Sequence, residues 1–162
     1  MSYTRNFGFR SFENIVRVGR YRTAAASALE IGTPVVGNAA TGEIAAATDT
    51  SSKSLGGVLV YEHIQAKGFD QDTFVSDDAH TVPAGAYAQI VHGPGVKVAL
   101  KNSATVTLIA GTAPAAGEFL APGAAGNAGK WVKAASEAAG WLVVEKVSGT
   151  GATLSVEARF TF

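Results

Sequence analysis

The sequence contains no cysteine and few charged residues, and both shortages narrow the possible functions. Without cysteine the chain has no disulfide bond, no thiol nucleophile and no cysteine-ligated zinc. Charged residues make up only 16% of the 162 residues. No apolar run approaches the ~20 residues that a membrane-spanning helix needs, and residues 1–10 lack the apolar core of a signal peptide. We therefore expect a soluble protein, made in a cytoplasm, with no membrane partner.

Helical periodicity is also missing, and short strand-like runs take its place. Hydrophobic residues are 47% of the chain, with alanine the largest share, and glycine occurs 19 times. From residue 31 onward, runs of Val, Ile, Leu and Ala are bounded by Gly, Pro, Asn and Thr, which is typical of strands and turns. We therefore predict an all-β protein with a single β domain over residues 31–162. The runs are TPVVGN, GEIAAA, GGVLVYEHI, TVPAGAYAQIVHGPGVKVAL, ATVTLIA, GEFLAP, KWVKAA, GWLVVEKV and ATLSVEARFTF.

Two of these runs support more specific predictions. The run over residues 81–100 predicts a hairpin, in which a turn at His92-Gly93-Pro94-Gly95 joins two strands. The last run alternates apolar and polar residues, as a strand with one buried face does. The residues predicted to share its apolar face are Leu154, Val156, Ala158, Phe160 and Phe162.

A weak internal repeat relates Gly42–Glu62 to Gly129–Lys146. In each copy a strand that begins at a glycine is followed by alanine and a polar linker. A second glycine and an apolar strand that runs into Glu complete the copy. Because a solenoid needs at least three repeats, two copies of a β unit predict a duplicated sheet or barrel.

The first 22 residues differ from the rest of the chain in composition. They hold five of the six arginines, five of the fourteen aromatic residues and one acid, Glu13, which gives a net charge of +4. The remainder has eight basic and twelve acidic residues, a net charge of −4. We predict an extended N-terminal arm and linker over residues 1–30, with the arm as the partner-binding element.

The arm combines arginine with aromatic residues at alternate positions, which is the pattern of a strand laid on a protein surface. Arginine and aromatic side chains make the strongest contacts in protein interfaces. A solvated tail is the alternative, although tails of that kind are poor in aromatics. The predicted partner-binding residues are Arg5, Phe7, Phe9, Arg10, Phe12, Arg17, Arg20, Tyr21 and Arg22.

Motifs of catalysis and metal binding do not match the spacings they require. Asp77, Asp78 and His80 could supply metal ligands, but no second cluster has metal-site spacing, so a solvated acidic loop is favoured. The run GAAGNAGKW fails as a phosphate-binding loop, because five residues separate Gly123 from Gly129 and a tryptophan replaces the Ser or Thr that holds magnesium. No Gly-x-Ser-x-Gly elbow is present. We expect no enzyme activity, no cofactor and no metal site.

Three stretches resemble capsid decoration (cement) proteins of tailed bacteriophages. In LEIGTPVVGNAATGEIAAATDTSSKSLGGVLVYE, a Gly-x-Pro-Val strand is followed by a Gly-led strand, an Ala-rich link and a Gly-Gly-Val strand. The stretch AGEFLAPGAAGNAGKWVKAASEAAGWLVVEKV is similar to the repeated partner of that pattern. The arm YTRNFGFRSFENIVR is similar to N-terminal extensions of decoration proteins from phages of actinobacteria.

The resemblance implies a fold, a partner and a location. The fold is a small β-barrel or β-tulip-like body, and a sandwich is a further arrangement that the strand pattern allows. The partner is the major capsid protein, bound on the outer capsid surface of the virion, commonly by a homotrimer that reinforces the shell. No catalytic residue is implied. Trp131 and Trp141 are predicted to pack either in the core or at a subunit interface. We expect copies to associate through apolar strand faces around Trp131, Trp141 and the C-terminal strand.

Other function classes remain open at this point. A tail-tube or fibre component would share the composition but would polymerise or form a stalk. A nucleic-acid-binding module that uses the basic arm would show a steep dependence of binding on salt, whereas a capsid-binding protein needs no direct contact with nucleic acid. An undetected hydrolase would need paired acid and base groups.

Overall fold

The computed structural model describes residues 7–9, 16–23, 27–38, 40–61, 81–85 and 87–162. Helix among these residues is limited to three-residue 3₁₀ turns at Lys53–Leu55, Ala125–Asn127 and Gly151–Thr153, and none of them is long enough to cross a membrane. The strands are β1 (Phe7–Phe9), β2 (Val16–Thr23), β3 (Leu29–Glu30), β4 (Pro34–Asn38), β5 (Glu43–Ala46), β6 (Gly56–Tyr61), β7 (Thr81–Val82), β8 (Tyr87–His92), β9 (Lys97–Lys101), β10 (Phe119–Pro122), β11 (Trp131–Lys133), β12 (Leu142–Ser148) and β13 (Ser155–Phe160).

The larger sheet contains six antiparallel strands in the order β1-β9-β13-β12-β10-β11. In β13 and the residue before it, Leu154, Val156, Ala158 and Phe160 are buried, which confirms the alternation predicted for the final run. At the β11 edge, loop residues take the place of a further strand. The Trp131 amide donates to the Leu108 carbonyl at 2.7 Å, and the Ala110 amide donates to the Trp131 carbonyl at 2.8 Å.

The second sheet is built on β5-β4-β6-β8, whose neighbouring strands all pair antiparallel. β2 extends it beyond β8 through six residue pairs, with a register shift between Arg17 and Gly19. β2 also meets β5 in parallel, at Arg22 with Glu43 and at Thr23 with Ile44, so the strand order returns to its start. A separate pair of short strands, β3 and β7, lies antiparallel.

The core lies in two clusters. The larger one is shared by both sheets, because Val58 and Val91 of the second sheet join Leu100, Leu142 and many other residues of the first. The smaller cluster belongs to the other face of the second sheet and to the β3–β7 pair. Its buried members are Leu29, Val35, Ile44, Leu59, Val82 and Ile90. Two sheets that share a core confirm the all-β prediction and correspond to its sandwich alternative.

Two tryptophans hold the sheets together at the centre of the larger cluster. Trp131 is fully buried and Trp141 nearly so, and their rings meet edge to face with centroids 6.2 Å apart. The Trp131 indole Nε1 donates to the Gly32 carbonyl at 2.8 Å. The six-membered ring of Trp141 lies against Gly56 in the second sheet, so closely that a Cβ at Gly56 would overlap it. The absence of a side chain at Gly56 therefore sets how closely the sheets approach.

The internal repeat appears in the strand order as well as in the sequence. The strand that precedes each copy lies between that copy's two strands: β4 between β5 and β6, and β10 between β11 and β12. The registers also agree, since Gly37 opposite Ile44 corresponds to Pro122 opposite Trp131. Likewise Pro34 opposite Val58 corresponds to Phe119 opposite Val143. A sheet unit is therefore duplicated, as predicted, but each unit begins one strand earlier than the predicted copy.

This register places Gly56 and Trp141 at the same position of the two copies, two residues before Val58 and Val143. The repeat pattern in the sequence instead aligns the glycine that precedes the apolar strand of one copy with the corresponding glycine of the other. Because the linkers differ in length, those glycines do not coincide in the register. The residue that the tryptophan contacts is thus its own counterpart in the other copy.

Two strand predictions are wrong. β8 and β9 form no hairpin, because β8 pairs with β6 and β2 while β9 pairs with β13 and β1. The turn between them bonds instead to β13, where the Gly95 amide donates to the Phe160 carbonyl and the Phe160 amide donates to the Val96 carbonyl, both at 3.0 Å. The run ATVTLIA is a loop with a single bridge, Ile109 to Trp131.

The predicted boundary between arm and body separates strands that pair with one another in the structure. β1, β2 and β3 come from the predicted arm and linker, over residues 1–30, yet each pairs with a strand of the predicted domain, over residues 31–162. The division into arm and domain stays a prediction, and these three parts of residues 1–30 are strands of the body's sheets.

Substitution of Gly56 by alanine tests the contact between the sheets. The added Cβ would overlap the Trp141 ring, and relief would require the ring to leave its place in the core. We expect a loss of about 1–3 kcal/mol in the free energy of unfolding, the usual cost of overpacking. Urea denaturation followed by tryptophan fluorescence measures it. Gly126→Ala is the matched control, because a Cβ at Gly126 meets no atom within 4 Å; equal stability of the two variants would contradict the account.

Candidate functional site

The predicted partner-binding residues divide into two groups. Arg5, Arg10 and Phe12 lie outside the described residues. The others lie on strands whose backbone pairs with the body. In β1, Phe7 is opposite Leu100 and Phe9 is opposite Val98. On β2 are Arg17, Arg20, Tyr21 and Arg22. Their role in partner binding stays a prediction.

β1 and β2 each pair antiparallel with a strand of the body. β2 runs antiparallel to β8, from Val16 opposite His92 to Arg22 opposite Tyr87. β1 runs antiparallel to β9 in nearly the same register. Since the turn at residues 93–96 joins β8 to β9, these two parts of the arm pair with successive strands of the body, one in each sheet. Over residues 7–9 and 16–23, the arm is therefore strand-bound to its own body.

Of the two placements predicted for Trp131 and Trp141, packing in the core is confirmed, and the surface predicted for association between copies is wrong in its residues. Trp131, Trp141 and Phe160 are buried within the chain, in the core between the sheets. Side chains already packed against their own chain offer no face to a second copy. Trimer formation itself stays a prediction and would need another surface.

Phe162 is the centre of a cluster where the C-terminal segment meets both sheets. Its ring stacks on His92 at 5.4 Å and meets Trp141 at 5.5 Å and Phe160 at 5.6 Å, edge to face. The Lys53 ammonium lies 6.0 Å from the ring centroid, a cation–π distance. The same ammonium donates to the backbone carbonyls of Ala138 and Gly140, so it links the first repeat to the second.

His92 is the perturbed titratable group of this cluster. Burial lowers its pKa below the ordinary value, and a backbone hydrogen bond at Phe162 opposes that shift in part. Its Nδ1 atom is buried and has no hydrogen-bond partner among the described residues. The arrangement suits a packed neutral imidazole better than a general base.

Asn102 organises the loop that the sequence suggested as a strand. Its Oδ1 accepts from the amides of Leu108, at 3.0 Å, and Ile109, at 2.9 Å. Its Nδ2 donates to the carbonyls of Ile109, at 2.9 Å, and Gly151, at 3.2 Å. These bonds occupy backbone groups that a strand would have used in a ladder. The residue is buried, and only its position after an apolar strand could have suggested the role.

A cleft of about 360 Å³ lies where the two repeats meet. Glu30 and Lys130 bring charges of opposite sign to its wall, and Thr105 and Thr107 bring hydroxyl groups. One carboxylate oxygen of Glu30 accepts from the Thr81 hydroxyl at 3.0 Å. The lining contains neither a histidine nor a pair of carboxylates, so it carries no arrangement for acid–base catalysis.

The outward face of the larger sheet carries charges of both signs. Glu145 accepts from the Lys97 ammonium at 3.0 Å and from Arg159 Nε at 3.3 Å. Elsewhere on this sheet, a hydrogen bond from Lys133 holds the pKa of Glu118 below its usual range. Exposed pairs of this kind add little stability. A face of mixed sign differs from the single-sign patch typical of nucleic-acid binding.

Groups of three or more His, Asp or Glu side chains that could hold a metal ion do not occur in the described ranges. The loop with Asp77, Asp78 and His80 lies outside those ranges. Comparison with protein-family models, with curated proteins and with solved structures finds no match to this chain. The function is therefore inferred from the chain's own residues and geometry.

The lowered pKa of His92 predicts how stability depends on pH. The folded protein takes up this proton at a lower pH than the unfolded chain, whose histidines titrate near pH ~6.5. The free energy of unfolding should therefore fall as the pH drops below about 6.5, and this contribution should level off below the folded pKa. Urea denaturation between pH 8 and pH 5 measures it. In His92→Gln the slope should be shallower; an unchanged slope would assign the effect to other groups.

Proposed function

We propose that this protein is a structural virion protein that binds the outer surface of a tailed-bacteriophage capsid and stabilises the shell. The observation that carries the proposal is the pair of matched strand units, β4-β5-β6 and β10-β11-β12. They coincide with the two stretches that resemble decoration proteins. The resemblance is based on short motifs. The equal strand order and register of the two units support it independently of those motifs.

The described body fits a binding protein better than an enzyme. Its largest aromatic side chains are used in the core, its cleft lacks acid–base pairs, and Glu145 on the outward face is paired with Lys97 and Arg159. A binding protein of this kind contributes a rigid body and a surface for contacts with its partner. Many copies on one shell add to its stability even when each contact is weak, because their combined binding acts through effective concentration.

The arm is the proposed attachment element, and its partner is the major capsid protein. It carries a net charge of +4 within the first 22 residues. Arginine can hold a capsid carboxylate in two hydrogen bonds, and buried rings would supply most of the binding free energy. Because parts of the arm are strands on the body, we propose a strand-bound arm that presents its residues from a fixed position. Copies on the capsid surface form a homotrimer in this proposal.

Binding to empty, expanded capsids of the phage concerned tests the proposal. We expect the full chain to co-sediment saturably with them. The combined substitutions Arg5→Gln, Arg10→Gln and Phe12→Ala should weaken binding by at least ~10-fold, since one lost aromatic anchor costs ~2 kcal/mol. These residues lie outside β1 and β2, so the substitutions leave the strand pairing in place.

The matched control is Lys130→Gln with Lys146→Gln, which removes the same number of positive charges from the body. This control should bind as the unchanged protein does. Failure of the full chain to sediment with capsids would refute the function. Equal binding by the arm variant would refute the role of the arm. Steep salt-dependent binding to naked DNA would favour the nucleic-acid module, and self-assembly into tubes would favour a tail component.

A further inference from the structure

β9 pairs with β13 on one side and, on its outer side, with β1 of the N-terminal arm. The other sheet edges described above are covered by parts of the chain other than β1. The β11 edge is covered by the loop at Leu108 and Ala110, which belongs to the body, and β5 meets β2. The second side of β9 is covered by β1, through three residue pairs. Without β1, β9 would present unpaired backbone groups, which are a template for another strand.

We propose that the outer side of β9 is a strand-docking edge, which residues 7–9 of a second copy of this chain occupy in place of the chain's own β1. Backbone pairing is the same whichever copy supplies the strand, so such an exchange forms the interface at little cost. The proposal supplies a surface for association between copies that does not involve the buried tryptophans. It does not depend on the capsid and can be tested in solution.

The register shows what the incoming strand would meet. Phe7 lies opposite Leu100 and Phe9 opposite Val98, and both of these β9 residues are fully buried on the core side of the sheet. Residues directly opposite in an antiparallel pair share a face. The aromatic positions of the strand are therefore aligned with the core side of the edge. Gly8, between them, lies opposite Ala99, which is half-buried on the outward side.

β1 is the arm strand that can exchange without unfolding the sheets. It has three residue pairs, whereas β2 has six with β8 and two more with β5. Six residues, 10–15, separate β1 from β2. Six extended residues can span ~20 Å, so β1 can leave β9 of its own chain while β2 stays in place. The charge of +4 on the arm and of −4 on the remainder also favours binding of one copy's arm to another's body.

The absence of cysteine makes disulfide trapping a clean test. Gly8→Cys and Ala99→Cys are introduced into separate full-length chains, which are mixed at high concentration and oxidised in air. Only an exchanged strand brings these two positions together. We expect a covalent dimer in several-fold excess over a mixture of Gly126→Cys with Ala99→Cys, because Gly126 is exposed and lies outside the strands.

The double variant Gly8→Cys/Ala99→Cys, in one chain, establishes the register. At low concentration it should form an internal disulfide, since opposite residues in a pair lie within bonding reach. An internal disulfide in the double variant, combined with no dimer above the control in the mixture, would overturn the proposal. So would the absence of any disulfide in the double variant, because the register would then be incorrect. Neither result bears on capsid binding. The disulfide test therefore decides the strand exchange, and the co-sedimentation test decides the proposed function, each independently of the other.

Discussion

The contact of the Trp141 ring with Gly56 is the constraint on which the rest of the structure depends. It joins the same position of two related strand units, one carrying the largest side chain and the other none. The first sheet can then approach the second closely enough for Val58 and Val91 to enter a common core. With alanine so frequent in the chain, a few large residues must supply much of the buried area, and both tryptophans are used there. Their burial explains why association between copies needs another surface.

Much of the fold follows from local patterns in the sequence. The β5, β6 and β10–β13 strands lie where apolar runs bounded by glycine and proline predicted them, because turn residues and alternation act within a few positions. The placing of β8 and β9 in different sheets could not be predicted, since the turn between them also suits a hairpin and its hydrogen bonds to Phe160 depend on the folded structure. The role of Asn102 could not be predicted either, because its four hydrogen bonds depend on a loop and a turn that folding brings together.

The candidate site was predicted from composition, and the structure changes how it is understood. Arginine and aromatic residues in the first 22 positions indicate a partner, but composition does not reveal where a segment pairs. β1 and β2 accompany β9 and β8, so these parts of the arm belong to the sheets that they were expected to precede. In the proposed function this attachment fixes the arm's direction and limits the conformational entropy lost on binding. In the proposed strand exchange, the β9 edge that holds β1 also receives β1 from a second copy.

The central claim is that the protein resides on the outside of a capsid, and electron cryo-microscopy of empty expanded capsids incubated with the purified full chain tests it most directly. The account predicts added density on the outer surface at repeated, symmetry-related positions, into which the two sheets fit as a rigid body, with the arm side toward the shell. An outer surface unchanged by the protein at saturating concentration, or density confined to the tail or the interior, would contradict it.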